Sequence, residues 1–112
     1  MSASRPPDSA SQKMLARCKQ AFERHYGTKL ANVILFGSAS RGEDTAESDF
    51  DLLVVLKPPF EFFRELRVIV DLLDPIQMGC DRLISAKPAE MEEFQKGTIQ
   101  LYRNVAREGI PL

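Results

Sequence analysis

Gly37-Ser38-Ala39-Ser40-Arg41-Gly42-Glu43-Asp44-Thr45-Ala46-Glu47-Ser48-Asp49-Phe50-Asp51 is the stretch on which the reading of this chain turns. An apolar run, residues 33–36, leads into the Gly-Ser pair, and a second, residues 52–56, follows the last aspartate. Two such runs around a glycine and a polar segment read as strand, tight turn, short polar segment, strand. A glycine ending a strand lets a ligand come close to the backbone, and free N–H groups just after it can hold phosphate oxygens. Asp49 and Asp51, spaced i and i+2, share one face of an extended strand, with Cα atoms about 6.5–7 Å apart. Carboxylates so placed suit a pair of Mg²⁺ ions about 3.5–4 Å apart, as in phosphoryl and nucleotidyl transfer.

An ordinary turn followed by a solvated Asp-x-Asp, or a fragment of a calcium loop, is the competing explanation. An EF-hand loop needs further oxygen ligands, a glycine and a closing glutamate at set positions, and these are absent. Packing alone also does not ask for two aspartates leading straight into a five-residue apolar run. Side by side they repel, and burial raises their pKa unless a cation is present. The pattern therefore favours a site for a metal–nucleotide complex.

An apolar residue, Gly37-Ser38, a ten-residue spacer and Asp49-x-Asp51 together resemble the signature of the nucleotidyltransferase fold of the DNA polymerase beta superfamily. The extension from Ser38 to Glu43, with Ser48 ahead of the first aspartate, is most similar to the small stand-alone members. Those are the minimal nucleotidyltransferases, many of them antitoxin partners of HEPN-domain toxins. The likeness spans most of the chain and is sharp from Val33 to Leu56. It implies a single small α/β (α+β) domain, a mixed sheet of three or four strands with packed helices. The implied activity is transfer of AMP from ATP onto a hydroxyl of a partner protein, with two Mg²⁺ ions on Asp49 and Asp51. Gly37 and Ser38 would hold the β- and γ-phosphates.

The resemblance also implies a third carboxylate on a later strand. Asp71 and Asp74 lie within residues 60–74, where Phe62, Phe63, Leu66, Ile69, Val70 and Leu73 recur at helical spacing and Pro75 is expected to end the helix. Asp81 instead opens a short run, residues 81–85, after Gly79, which reads as a third strand. Its implied role is general base or ligand of the metal that activates the attacking hydroxyl. Arg82 stands where an apolar residue is expected, and a surface Asp81–Arg82 pair on an edge strand is the alternative. Arg41 is within reach of a triphosphate held at the turn, where a guanidinium neutralises phosphate charge; it is equally placed to pair with Glu43 or Asp44. Gly42 is expected to relax the backbone where a short helical turn ends, beside the nucleotide.

The remaining residues read as a minimal scaffold. The chain has 112 residues, enough for one modest core, expected over residues 9–112. Residues 1–8, small, polar and proline-rich, read as a disordered tail with no signal-peptide character. No apolar run approaches the roughly 20 residues of a membrane span, and the chain is expected to be soluble. The net charge of −1, from 15 basic and 16 acidic residues, argues against nonspecific binding to long nucleic acid. Cys18 and Cys80 lack metal-site spacing and read as reduced packing residues of a cytoplasmic protein. His25 is the sole histidine, which excludes a zinc cluster or a histidine-based mechanism.

A first helix is expected from Ser9 to Gly27, with Ser9 and Gln12 as a capping box and Met14, Leu15, Cys18, Phe22 and Tyr26 as its core stripe. A closing helix is expected from Ala89 to Glu108, bent at Gly97. Little sequence is left for an acceptor-binding domain. A partner polypeptide, a HEPN toxin in a hetero-oligomer, is expected to supply the acceptor. The alternatives are a non-catalytic antitoxin that captures its toxin, or a nucleotidyltransferase acting on a small molecule or an RNA end.

Overall fold

The two apolar runs around the Gly–Asp stretch form neighbouring antiparallel strands, β1 (Leu30–Phe36) and β2 (Phe50–Leu56), with Phe36 opposite Asp51 and Leu30 opposite Leu56. They belong to a computed structural model of the chain, which describes residues 9–37 and 49–112. The expected N-terminal tail, the short helical turn, Ser38, Arg41 and Gly42 lie outside the described residues.

β3 (Ile84–Glu90) runs parallel to β2, from Phe50↔Ile84 to Leu56↔Glu90. β4 (Ile110–Pro111) pairs antiparallel with β1. The mixed sheet is thus ordered β3-β2-β1-β4. A parallel pair needs a long crossover, and helix α2 (Phe62–Met78) supplies it. Alternation along the strands then sorts the core into two layers. Val33, Leu35, Phe50, Leu52, Val54, Leu56 and Ile84 meet Leu15, Cys18 and Phe22 of α1 (Ser9–Tyr26) and Ile69, Leu73 and Ile76 of α2. On the opposite face Ile34, Leu53, Val55 and Ala89 meet Val105 of α4 (Gln100–Glu108), beside Phe94 of α3 (Met91–Lys96). β2 is buried on both faces beyond Asp51, which is why its sequence is a continuous apolar run.

Three expected boundaries are corrected. Helix α2 continues through Pro75 to Met78. Proline removes one backbone donor, but Ile76 extends the apolar stripe and is 5% exposed, so its packing holds the last turn in place. The third strand starts at Ile84 rather than Asp81, and it passes through Pro88 to Glu90. Gln77 holds residues 81–83 out of the strand: its side chain donates to the Arg82 carbonyl at 2.8 Å and accepts from the Ile84 N–H at 2.7 Å. Pro88 is tolerated because β3 is the edge of the sheet, where one side of the strand needs no partner. The expected closing helix is two helices: Glu90 caps α3 by accepting from the N–H groups of Glu92 and Glu93. Gly97, at φ +63°, ends α3 in the left-handed conformation before α4 begins.

One buried carboxylate ties helix to helix. Glu65, in the first turn of α2, is 4% exposed and accepts from Tyr26 Oη at 3.0 Å and Lys29 Nζ at 3.4 Å. Among the described residues no helix is long and apolar enough to cross a membrane.

Candidate active site

β2 carries the aspartate pair at the end where it enters the sheet. Asp49 is exposed just ahead of the strand, and Asp51 is its half-buried second residue. Asp51 shares a face with Leu53 and Val55, which α3 and α4 cover further along. Burial pushes the Asp51 carboxyl above the usual range, the charge of Asp49 raises it further, and the Lys87 ammonium pulls it part of the way back. Burial and the neighbouring aspartate thus both work against charge on Asp51. A hard divalent cation, which takes oxygen ligands, would offset both the burial and the repulsion, so this donor set fits Mg²⁺.

Gly37 closes β1 on one flank of the pair. Its φ is +81°, a conformation that strains any residue with a side chain. A methyl group on its Cα would lie 2.5 Å from Asp51 Oδ2. The close approach expected of this glycine is thus made by the carboxylate of Asp51 itself, which packs over the bare backbone.

Asp81 stands apart from the other two aspartates. It is exposed in the bend before β3 and lines a groove with Lys13, Met14 and Arg17 of α1 and Ile76 of α2. Its neighbour Arg82 extends over the ring of Phe50, 3.8 Å from the centroid, and that ring belongs to the α1–α2 face. Among the described residues no three His, Cys, Asp or Glu side chains are grouped as a metal site. The parallel register sets Ser85, not a carboxylate, beside Asp51, and Asp81 lies ahead of β3 rather than on it. Asp71 and Asp74 are exposed on α2.

Two site residues escaped the reading of the sequence: Ser85, half-buried beside Asp51, and Lys87, exposed one alternation further along. Extending the third strand through Pro88 would have placed both on the face of the aspartates. Cys18 and Cys80 are free thiols, and burial pushes the Cys18 thiol up to about 12. His25 packs edge-on against Tyr26, with centroids 4.8 Å apart.

An aspartate pair on a central strand, flanked by a glycine turn in a small mixed sheet, defines a domain suited to phosphoryl or nucleotidyl transfer. Residues 15–105 match the family described as "Nucleotidyltransferase domain", and the chain belongs to that family. It is 30% identical over 99 residues to a protein of Methanocaldococcus jannaschii that bears the name "Putative protein adenylyltransferase MJ0604", covering 88% of this chain and 93% of that one. The fold is also similar to the crystal structure of "a putative nucleotidyltransferase from Sulfolobus solfataricus", with a TM-score of 0.53 at 18% identity, over 94% of this chain and 86% of the other.

Proposed function

We propose that this nucleotidyltransferase moves AMP from ATP onto a hydroxyl of a partner protein. The observation that carries the reading is the half-buried Asp51 beside Asp49, packed over Gly37. The name of the Methanocaldococcus jannaschii relative supports a protein acceptor. The sequence resemblance of residues 38–43 and Ser48 supports a HEPN toxin as that acceptor, with this chain as its antitoxin. Two free cysteines suit a reducing cytoplasm.

Asp49 and Asp51 would hold Mg²⁺, which when bound supplies neutralisation of the triphosphate charge. Gly37 lets the Asp51 carboxylate lie against the bare backbone at the end of β1, and Ser38, as the resemblance implies, donates to the β- and γ-phosphates. Arg41 would add positive charge to the same end of the triphosphate. The acceptor oxygen attacks the α-phosphorus in line, and pyrophosphate leaves on the Gly37 side. The reaction as proposed gives Asp81 no part.

The test is to incubate the chain with Mg²⁺ and each α-labelled nucleoside triphosphate in lysate of its source, beside an Asp49→Asn, Asp51→Asn double variant. A labelled protein band formed from ATP by the wild type alone is expected. Equal labelling by the variant, or none by either, contradicts the proposal. Label in an RNA or a small molecule would keep the transfer and replace the acceptor.

A further inference from the structure

β2 lies between β1 and β3, so the aspartate pair has two flanks. Gly37 ends β1 on one of them. On the other, the parallel register sets Asp51 beside Ser85 and Leu53 beside Lys87. Lys87 is therefore the diagonal neighbour of Asp51 on the same face, with Cα atoms about 8 Å apart by strand spacing and rise. A four-carbon stem readily spans that gap, and the ammonium is close enough to act on the charge of Asp51. The side chain is exposed, and among the described residues no hydrogen bond or salt bridge ties its ammonium down. An exposed cation diagonal to Asp51 is placed to meet an anionic group of a ligand bound there.

The flank decides which group. In an in-line displacement the leaving group and the attacking oxygen sit on opposite sides of the phosphorus. Pyrophosphate held at the Gly37 turn puts the α-phosphorus over the aspartates and the attacking oxygen on the Ser85 side. The non-bridging oxygens lie around that axis, and Lys87, one alternation along β3 from Ser85, stands off the axis where such an oxygen is met. We propose that Lys87 is a catalytic residue that binds a non-bridging oxygen of the α-phosphoryl group as that group is transferred. The inference rests on the nucleotidyl transfer proposed above. The acceptor hydroxyl gives its proton to bulk water, and its oxygen forms a bond to the α-phosphorus. The bond from that phosphorus to the bridging oxygen of pyrophosphate breaks with its electron pair, and pyrophosphate departs. Lys87 keeps its proton throughout and offsets the charge gathered on the α-oxygens.

The test uses Lys87→Gln and Lys87→Arg in the full chain, with calorimetric binding of MgATP and of magnesium pyrophosphate beside α-label transfer. The side chain is exposed, so both variants should melt with the wild type. Lys87→Gln should bind MgATP about tenfold more weakly, as loss of one charge-assisted hydrogen bond predicts. It should keep its pyrophosphate affinity, and Lys87→Arg should recover most of the loss. Unchanged MgATP binding in Lys87→Gln, or equal weakening of pyrophosphate, overturns the assignment while leaving nucleotidyl transfer in place. A wild type that neither binds MgATP nor transfers label overturns both.

Discussion

Asp51 is held in a site that resists its charge: burial first, and Asp49 second, raise its pKa. A raised carboxyl favours the protonated native state, so this residue stabilises the fold in acid and loses that contribution as pH rises through the folded pKa. At neutral pH the ligand-free chain carries the cost. Asp51→Asn should therefore raise the melting temperature slightly in metal-free buffer, flatten its dependence on pH in the acid range, and abolish transfer. A lower melting temperature at pH 7 would show that the carboxylate is not under repulsion. Gly37→Ala should cost about 1–2 kcal/mol from the left-handed backbone alone and also displace the Asp51 carboxylate; a urea titration reads the first effect and label transfer the second. These residues were legible because alternation and a glycine turn are local signals. Lys87 was not, because its place depends on which strand pairs with β2 and in which register.

Proline punctuates this chain less than local rules expect. Pro75 sits inside α2, on its exposed side, and Pro88 sits inside edge strand β3. Each reads as a breaker in sequence, and each is overridden by what its neighbours bury, Ile76 in one case and Ala89 in the other. Replacing Pro75 by Ala should restore the missing donor and stabilise the chain by about 1–2 kcal/mol, the helix-interior penalty less the unfolded-state benefit of proline. A urea midpoint at or below wild type would show that the helix has adapted to the ring. Gly97 was legible as an irregularity, but only its left-handed φ turns a bend into the end of one helix and the start of another. The same tertiary effect moved Asp81 off the sheet: the hold of Gln77 on Arg82 and Ile84 is a contact no periodicity announces.

A buried thiol and a half-buried phenol tie the stability of the whole molecule to pH. The Cys18 thiol rises from an ordinary 9.0 to about 12, chiefly by burial. The Tyr26 phenol is raised from 10.0, first by burial and then by its hydrogen bond to Glu65. Both remain protonated in the native state at pH values where the unfolded chain gives its protons up. Stability should therefore hold below pH 9 and fall as pH rises beyond it, and Tyr26→Phe should flatten the upper part of that slope in a urea series. A pH-independent midpoint between 9 and 11 would contradict the burial of both groups.

The central claim, that the aspartate pair beside Gly37 binds a metal–nucleotide complex, is tested most directly by thermal unfolding of the wild type and the Asp49→Asn, Asp51→Asn variant, each with and without Mg²⁺ plus ATP. Ligand at a hundredfold over its Kd should stabilise the wild type by about 2.7 kcal/mol and leave the variant unmoved, although the variant starts from the higher melting temperature. Equal stabilisation of both proteins, or of neither, would contradict the account.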